Sequence, residues 1–260
     1  MGAQRIDAEF DTRCEPIFDR YLRRLGCDTR SPADLEFLTR LMARHLQTVP
    51  FENLDIVRGT PRTLSTDSAL RKVADEGRGG FCYELNEAFR ALLQDLGFAV
   101  HRVEARVWQP EAQRFGPPFD HLALVVTLPE GNFLVDVGYG DGNRAPLRVP
   151  QDRAQDVSGD YVLGPAREGC LCLASQARPL YELTLATQPL QAFAAMCTYH
   201  RSSPDSFFSK GLLCTRATPA GRITLSRDRL IVVADGRRSE TPVANPAVVL
   251  AQQFGITDWH

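Results

Sequence analysis

No apolar run in the sequence reaches the roughly 18 residues that a membrane-spanning helix requires, so no membrane association is expected. The stretch from Met1 to Asp11 is polar and lacks the apolar centre of a secretory signal, which makes a cytoplasmic location the expectation. A surplus of one charge sign is missing too. The 30 Lys and Arg face 32 Asp and Glu, and a net charge of −2 argues against a nucleic-acid partner, because binders of phosphate backbone carry a basic excess. Short basic pairs such as Arg237-Arg238 read as solvated surface. Internal repeats and low-complexity linkers are absent. The seven cysteines are odd in number and scattered, so reduced thiols are expected rather than a disulfide framework. Cys170 and Cys172 form a C-x-C pair with no second pair and no nearby His. Alternate residues of a strand share a face, so they read as two small apolar side chains, and no metal site is expected.

What is present fits a soluble globular chain. It has 260 residues, 43% of them hydrophobic, enough for one large domain or two to three small ones. The first hundred residues read as helical. Phe10, Ile17, Phe18, Tyr21, Leu22 and Leu25 fall near helical spacing, with Gly26 as the stop. Ser31 and Pro32 predict the start of a second helix, with Asp34 in its first turn. Pro50 to Leu54 reads as a loop, and a short helix is expected from Ser68 to Asp75. After Cys82, the residues Leu85, Ala88, Phe89, Leu92, Leu93 and Leu96 make an apolar stripe that closes at Gly97. The pattern then turns to strands. Phe98 to Trp108 alternates, and His121 to Leu128 and Phe133 to Val137 flank the turn Pro129-Glu130-Gly131-Asn132 as a β-hairpin. Further strands are expected over 170–174, 181–186, 222–225 and 230–233, and Asn245-Pro246 opens a last helix running to Phe254. Helices followed by strands and a mixed end predict an α+β fold of compact subdomains.

The chemistry concentrates on Cys82, in Arg78-Gly79-Gly80-Phe81-Cys82-Tyr83-Glu84-Leu85-Asn86. A nucleophilic cysteine needs a stabilised thiolate, a base, and a group that orients the base. The N-terminal end of a helix favours the thiolate through its unpaired N–H groups and dipole. A cysteine in an apolar helix is ordinarily core, but two glycines ahead of the helix demand a backbone reason. Only five histidines are available as partners. His121 starts a strand, and Asp136 ends the next apolar run, where a carboxylate is costly unless paired. Antiparallel pairing of the two runs brings these positions together. The chain order Cys, His, Asp is the arrangement of papain-like and transglutaminase-like thiol enzymes. His45 reads as structural and His101 as exposed, while His200 and His260 have no legible carboxylate context.

The residues now resemble a known family. The segment 78–86 resembles the nucleophile motif of the arylamine N-acetyltransferases, and Pro50-Phe51-Glu52-Asn53-Leu54 resembles the loop upstream of it. Asp120-His121-Leu122 and Val135-Asp136-Val137-Gly138-Tyr139-Gly140 resemble its histidine and aspartate segments, 39 residues separating Cys82 from His121 and 15 separating His121 from Asp136. Tyr199 to Phe208 resembles its C-terminal signature.

The resemblance implies a helical bundle over 1–97, a β-barrel-like domain over 98–195 and an α/β lid over 196–260. It implies a ping-pong reaction in which Cys82 takes an acetyl group from acetyl-CoA and passes it to an arylamine, arylhydrazine or arylhydroxylamine, as in xenobiotic metabolism. Acetyl-CoA is then a co-substrate, with no bound cofactor. Cys82, His121 and Asp136 form the triad, Arg78 and Glu52 support it, Phe51 and Tyr139 line the acceptor site, and Gly116, Tyr199 and Ser206 contact the coenzyme. Asp205 departs from the signature, and its carboxylate opposes a bound phosphate if it faces the coenzyme. The chain stops soon after Phe254, so no long C-terminal extension is expected, which leaves room for a more open cleft or for another acyl group. An amide synthase acting on a carrier-bound acyl chain and a transglutaminase-like thiol hydrolase are the competing readings.

Overall fold

Cys82 opens a helix that is buried on almost every side, and the rest of the fold is arranged around it. The computed structural model describes residues 15–167 and 169–259; Phe10, Cys14 and His260 lie outside this range. Helix α1 (Ile17–Leu25) ends at Gly26 in the left-handed region, φ 66°, where the Gly26 N–H returns to the carbonyls of Leu22 and Arg23. Helix α2 (Leu35–Thr48) starts three residues later than Ser31-Pro32 predicts. Asp34 is the cap, its carboxylate accepting from the Phe37 N–H at 2.8 Å, while the Ser31 hydroxyl is taken by Arg40. An ionised cap makes the stronger bond, which explains the displaced start. The expected loop at 50–54 holds a two-residue strand β1 (Phe51–Glu52) and a one-turn helix α3 (Leu54–Val57). Helix α4 (Thr66–Ala74) is capped by Ser65.

Helix α5 (Cys82–Asp95) buries its whole first three turns, not a single stripe. It lies between α1 and α4 on one side and the sheet on the other. Its buried Glu84, Asn86, Glu87 and Arg90 are all hydrogen-bonded, which is what allows polar residues to face inward.

The sheet begins with β2 (Ala99–Gln109), which pairs at its end with β3 (Arg114–Phe115). The hairpin follows as β4 (His121–Leu128) and β5 (Gly131–Val135), antiparallel with Leu124 opposite Val135 and Leu128 opposite Gly131. Then come β6 (Leu147–Arg148), β7 (Asp152–Asp156), β8 (Gly159–Pro165), β9 (Leu171–Ser175) and β10 (Arg178–Thr187). The strand order β6-β5-β4-β2-β10-β9-β8-β7 places β6 and β7, neighbours in sequence, at opposite ends of the path, and the sheet curls into a nearly closed barrel. Strand β4 is buried on both faces. Leu122, Leu124 and Val126 pack on α5, whereas Ala123 and Val125 face the barrel core with Val103, Ala105 and Leu183.

A 3-10 turn, Leu190–Phe193, leads into helix α6 (Ala194–Ser202). A second antiparallel sheet follows: β11 (Leu213–Thr218), β12 (Gly221–Ser226), β13 (Arg229–Ala234) and β14 (Arg237–Pro242). Its other edge is β1, with Phe51 opposite Thr215, so a piece of the N-terminal region is built into the C-terminal sheet. Helix α7 (Pro246–Phe254) covers this sheet, with Asn245 as cap and proline at its first position, as the sequence predicts, and it ends at Gly255 in the left-handed region. No helix among the described residues is long and apolar enough to cross a membrane.

The sequence patterns miss the strands β3, β6, β7, β8, β11 and β14 and the helix α6. Strands β7 and β14 are terminal in their sheets, and β14 is exposed along its full length, so neither carries the alternation by which a strand is read. Helix α6 buries only Cys197 and His200. Cys170 lies just ahead of β9 and is buried, while Cys172 is half-buried within it.

Candidate active site

The backbone reason for the paired glycines is a close approach of two chain segments. A Cβ at Gly79 would stand 1.8 Å from the Pro50 carbonyl oxygen, which no side chain tolerates. The Gly80 carbonyl accepts the Glu52 N–H at 2.8 Å. Cys82 is the first residue of α5, and Glu84 caps that helix end by accepting the Phe81 N–H at 3.3 Å.

His121 is the first residue of β4, and Asp136 directly follows β5. The hairpin register brings the ends together, and His121 Nε2 lies 2.6 Å from Asp136 Oδ2, both side chains buried. An ionised carboxylate only accepts, so Nε2 carries the proton and Nδ1 keeps its lone pair. Asp136 Oδ1 accepts from Asn86 Nδ2 and from the Gly138 N–H, each at 2.8 Å. Burial works to raise the Asp136 carboxyl, but His121 and these donors outweigh it and hold the group below the ordinary aspartate range.

Asn86 joins the three parts and is a residue to which the sequence assigns no role. Its amide donates to the Leu122 carbonyl at 2.6 Å and its oxygen accepts the Val137 N–H at 3.0 Å. It lies four residues after Cys82, one turn along the same helix face, and that spacing is the signal from which it is legible. At Gly138, an added Cβ would meet the Cys82 Cα at 2.8 Å, so the aspartate segment packs directly on the cysteine turn.

One expectation needs correction. The helix terminus does not by itself lower the Cys82 thiol. Burial pushes it well up, the Leu122 backbone bond opposes this, and Cys197, Asp136 and Asp120 push it further up. A lone buried thiolate is the costly species here. Handing the proton to an imidazole backed by a carboxylate replaces it with an ion pair, whose charges offset one another.

Arg78 and Glu52 lie together, Nη2 to Oε1 at 3.0 Å, within a larger buried cluster. Arg78 also reaches Asp55 at 3.0 Å, and Lys72 meets Asp55 at 2.9 Å and Glu84 at 3.1 Å. Burial opposes a charged Lys72, but Glu52, Glu84 and Asp55 hold its ammonium above the ordinary lysine range. Burial likewise opposes an ionised Asp55, yet Lys72, Arg78 and Arg62 bring its carboxyl down to about 2. The sequence gives no sign of Lys72, because a lysine in a short helix reads as surface.

The aromatic residues gather at the same place. Phe51 is buried 6.0 Å from the Phe208 ring, and half-buried Tyr139 stands edge-on to His121 at 5.8 Å. Gly116 is buried, its N–H donating to the Val107 carbonyl at 2.8 Å. Tyr199 and Asp205 are exposed. Ser206 is buried, and its hydroxyl meets His200 Nδ1 at 3.3 Å and the Phe208 N–H at 3.2 Å. His200 does have a carboxylate partner, contrary to the sequence reading: Nε2 lies 3.1 Å from Asp120 Oδ1. His101 is half-buried rather than exposed. His45 is fully buried, and among the described residues neither ring nitrogen has a hydrogen-bond partner.

The family model described as N-acetyltransferase matches residues 34–257. An arylamine N-acetyltransferase of Mycolicibacterium smegmatis is 33% identical over 248 residues, covering 91% of this chain and 90% of the relative. The structure of the Mycobacterium marinum arylamine N-acetyltransferase in complex with CoA superposes with a TM-score of 0.84 at 30% identity, over 92% of this chain and 93% of that one. A Bacillus cereus arylamine N-acetyltransferase, described as having a unique Cys-His-Glu catalytic triad, gives a TM-score of 0.86 at 25% identity, over 94% of this chain and 99% of that one.

Proposed function

The chain belongs to the arylamine N-acetyltransferase family, and we propose that it moves an acetyl group from acetyl-CoA to an arylamine, arylhydrazine or arylhydroxylamine through an acetyl-Cys82 intermediate. The observation that carries this reading is the His121–Asp136 pair, 2.6 Å apart and fastened through Asn86 to the helix that Cys82 opens. Acetyl-CoA is a co-substrate, not a resident cofactor.

In the first half-reaction the Cys82 proton passes to His121 Nδ1, and the sulfur attacks the thioester carbonyl carbon. Asp136 holds Nε2 protonated and offsets the imidazolium charge. The tetrahedral oxyanion collapses, the bond to the coenzyme sulfur breaks, and the imidazolium proton leaves with the coenzyme thiol. In the second, the amine nitrogen attacks the acetyl-cysteine, its proton goes to His121, and the Cys82 sulfur is the leaving group. The Cys82 N–H, in the first turn of α5 where N–H groups have no intrahelical acceptor, is assigned to the oxyanion. A thioester in both half-reactions keeps the acyl group activated enough for a weakly basic aromatic amine.

We assign Arg78 and Glu52 to support of the Cys82 turn, and Phe51 and Tyr139 to the acceptor site. Gly116 and the exposed Tyr199 are assigned to the coenzyme, with buried Ser206 supporting that surface from beneath. The three-part division at 97/98 and 195/196 follows this assignment, and the reaction is placed in the cytoplasm, in the metabolism of xenobiotic amines.

Intact-mass analysis with acetyl-CoA alone tests the reading. Wild type is expected to gain one acetyl group, and Cys82→Ala none. Absence of any gain with acetyl-CoA or other simple acyl-CoA donors in wild type would sink it. Turnover that requires a carrier-bound acyl chain would instead identify an amide synthase.

A further inference from the structure

The last turn of α6 reaches towards both Cys82 and His121, and one of its residues has no assigned role. The helix buries only Cys197 and His200, so a broad apolar face does not seat it. Polar contacts at its end do. His200 meets Asp120, the residue before His121, at 3.1 Å. Arg201, the next residue, extends to the Cys82 turn. Its Nη2 donates to Glu84 Oε1 at 3.4 Å, and its guanidinium carbon stands 5.3 Å from the centre of the Phe81 ring.

The Arg201 side chain is only 9% exposed. A guanidinium is costly to bury, and one long hydrogen bond with one aromatic face offsets that cost only in part. An apolar side chain would pack on Phe81 as well. What the charge adds is a hold on Glu84, the residue that caps α5 in place of Phe81, whose own side chain has no polar atom. Glu84 Oε2 accepts the Phe81 N–H at 3.3 Å and the Lys72 ammonium at 3.1 Å. Gly80 lies against the same oxygen, since an added Cβ there would stand 2.6 Å from it. Oε1 has Arg201 alone among the described residues. Two cations, Lys72 from α4 and Arg201 from α6, thus hold one oxygen each and fix the plane of the capping carboxylate. Phe81 is held by the same arginine and by the rings of Tyr83 at 5.2 Å and Phe208 at 5.5 Å.

We infer that Arg201 is a positioning residue of the reaction, which through Glu84 and Phe81 aims the Cys82 N–H at the oxyanion. The inference rests on the assignment of Cys82 as acyl carrier and of its N–H as oxyanion donor, made above. That N–H belongs to the peptide plane joining Phe81 to Cys82, so a rotation of Phe81 turns the donor. Without Arg201 the carboxylate pivots about Oε2, its bond to the Phe81 N–H loosens, and the donor turns with Phe81.

Two reactions of the same sulfur separate this role from a structural one. Alkylation by iodoacetamide displaces iodide and forms no oxyanion, whereas acylation by p-nitrophenyl acetate passes through one. Arg201→Met is expected to slow the p-nitrophenolate burst about 10-fold and to leave alkylation within about threefold of wild type. The bond to Glu84 is single, so an ammonium can also make it, and Arg201→Lys is expected to return the burst to within about threefold of wild type. Equal slowing of both reactions, or of neither, overturns the inference, and so does a Lys variant as slow as the Met variant. A wild type that is alkylated but gives no burst overturns it too. The nitrophenyl ester carries no coenzyme, so the inference is read even where acetyl-CoA fails as a donor. Acylation of wild type by acetyl-CoA, run in parallel, tests the transferase reading separately.

Discussion

Two histidine–carboxylate pairs lie side by side in this protein, and Asp120 and His121, one member of each, are adjacent in sequence. His121–Asp136 is short, 2.6 Å, and its carboxylate accepts two further protein donors. His200–Asp120 is longer, 3.1 Å, and its imidazole is held on the other side by the Ser206 hydroxyl. Both pairs are buried. The difference lies in what the second ring nitrogen meets. For His200 it is a hydroxyl that locks the ring in place. For His121 it is Nδ1, the nitrogen to which we assign proton exchange with Cys82, since Nε2 is taken by Asp136. Burial and a carboxylate make a histidine rigid; a free lone pair beside a thiol makes it a base. A third histidine, His45, has neither partner among the described residues and stays neutral, its imidazole lowered to about 3 chiefly by burial, with Arg24 adding to the effect.

This contrast breaks if the first pair is dispensable. His121→Gln is expected to slow Cys82 alkylation at neutral pH by at least ~100-fold, since the thiol then has no proton acceptor and burial disfavours its thiolate. An unchanged rate profile would contradict the assigned pair. The buried cluster under the Cys82 turn provides the next largest effect. Lys72→Met leaves Glu52, Asp55 and Glu84 short of a cation, and urea unfolding should show a loss of roughly 3–5 kcal/mol.

The second pair sharpens the comparison from the other side. His200→Gln should cost about 1–3 kcal/mol of stability, a buried acceptor having lost its partner, and change the alkylation rate less than about 10-fold. A loss of reactivity equal to that of His121→Gln would erase the distinction between the pairs. The third histidine sets the smallest effect per unit change. Its folded value lies below its unfolded one, so the unfolded chain binds the extra proton between pH 6.5 and about 3. His45 therefore contributes stability that is intact above pH 6.5 and declines as pH falls, at up to about 1.4 kcal/mol per pH unit. His45→Phe should flatten that slope in pH-dependent thermal unfolding. Asp55, depressed to about 2, acts lower: its contribution is intact above 3.8 and is lost as pH falls towards about 2.

The first pair is legible in the sequence and the second is not, for a definite reason. His121 and Asp136 belong to one hairpin, and local alternation with a turn sets their register. Asp120 and His200 are 80 residues apart, on elements with no shared pattern, and α6 buries too little to announce itself. The same divide runs through the fold. The helix after Cys82, the hairpin and the capped ends of α1 and α7 follow from local periodicity and terminal residues. Strand β14 at a sheet edge and the paired Lys72 depend on neighbours brought in from elsewhere in the chain. The helix end at Cys82 is legible as geometry, but its electrostatics are not. Burial, which reverses the expected effect on the thiol, is a property of the whole packing.

The short strand β1 has a consequence for the order of assembly. Phe51 and Glu52 pair with β11 on one side and meet Gly80 on the other, and Asn53 reaches across 155 residues to the Phe208 carbonyl and 160 to the Leu213 N–H. The loop that presses on the glycines ahead of Cys82 is thus held by chain made much later. Contacts so remote in sequence form slowly, because the loop entropy is lost before the contact is gained. During synthesis from the N-terminus, the bundle and the hairpin can form while β11 is still unmade. The turn ahead of α5 is then fixed only when the second sheet docks, so the reactivity assigned to Cys82 is expected only once the chain is nearly complete.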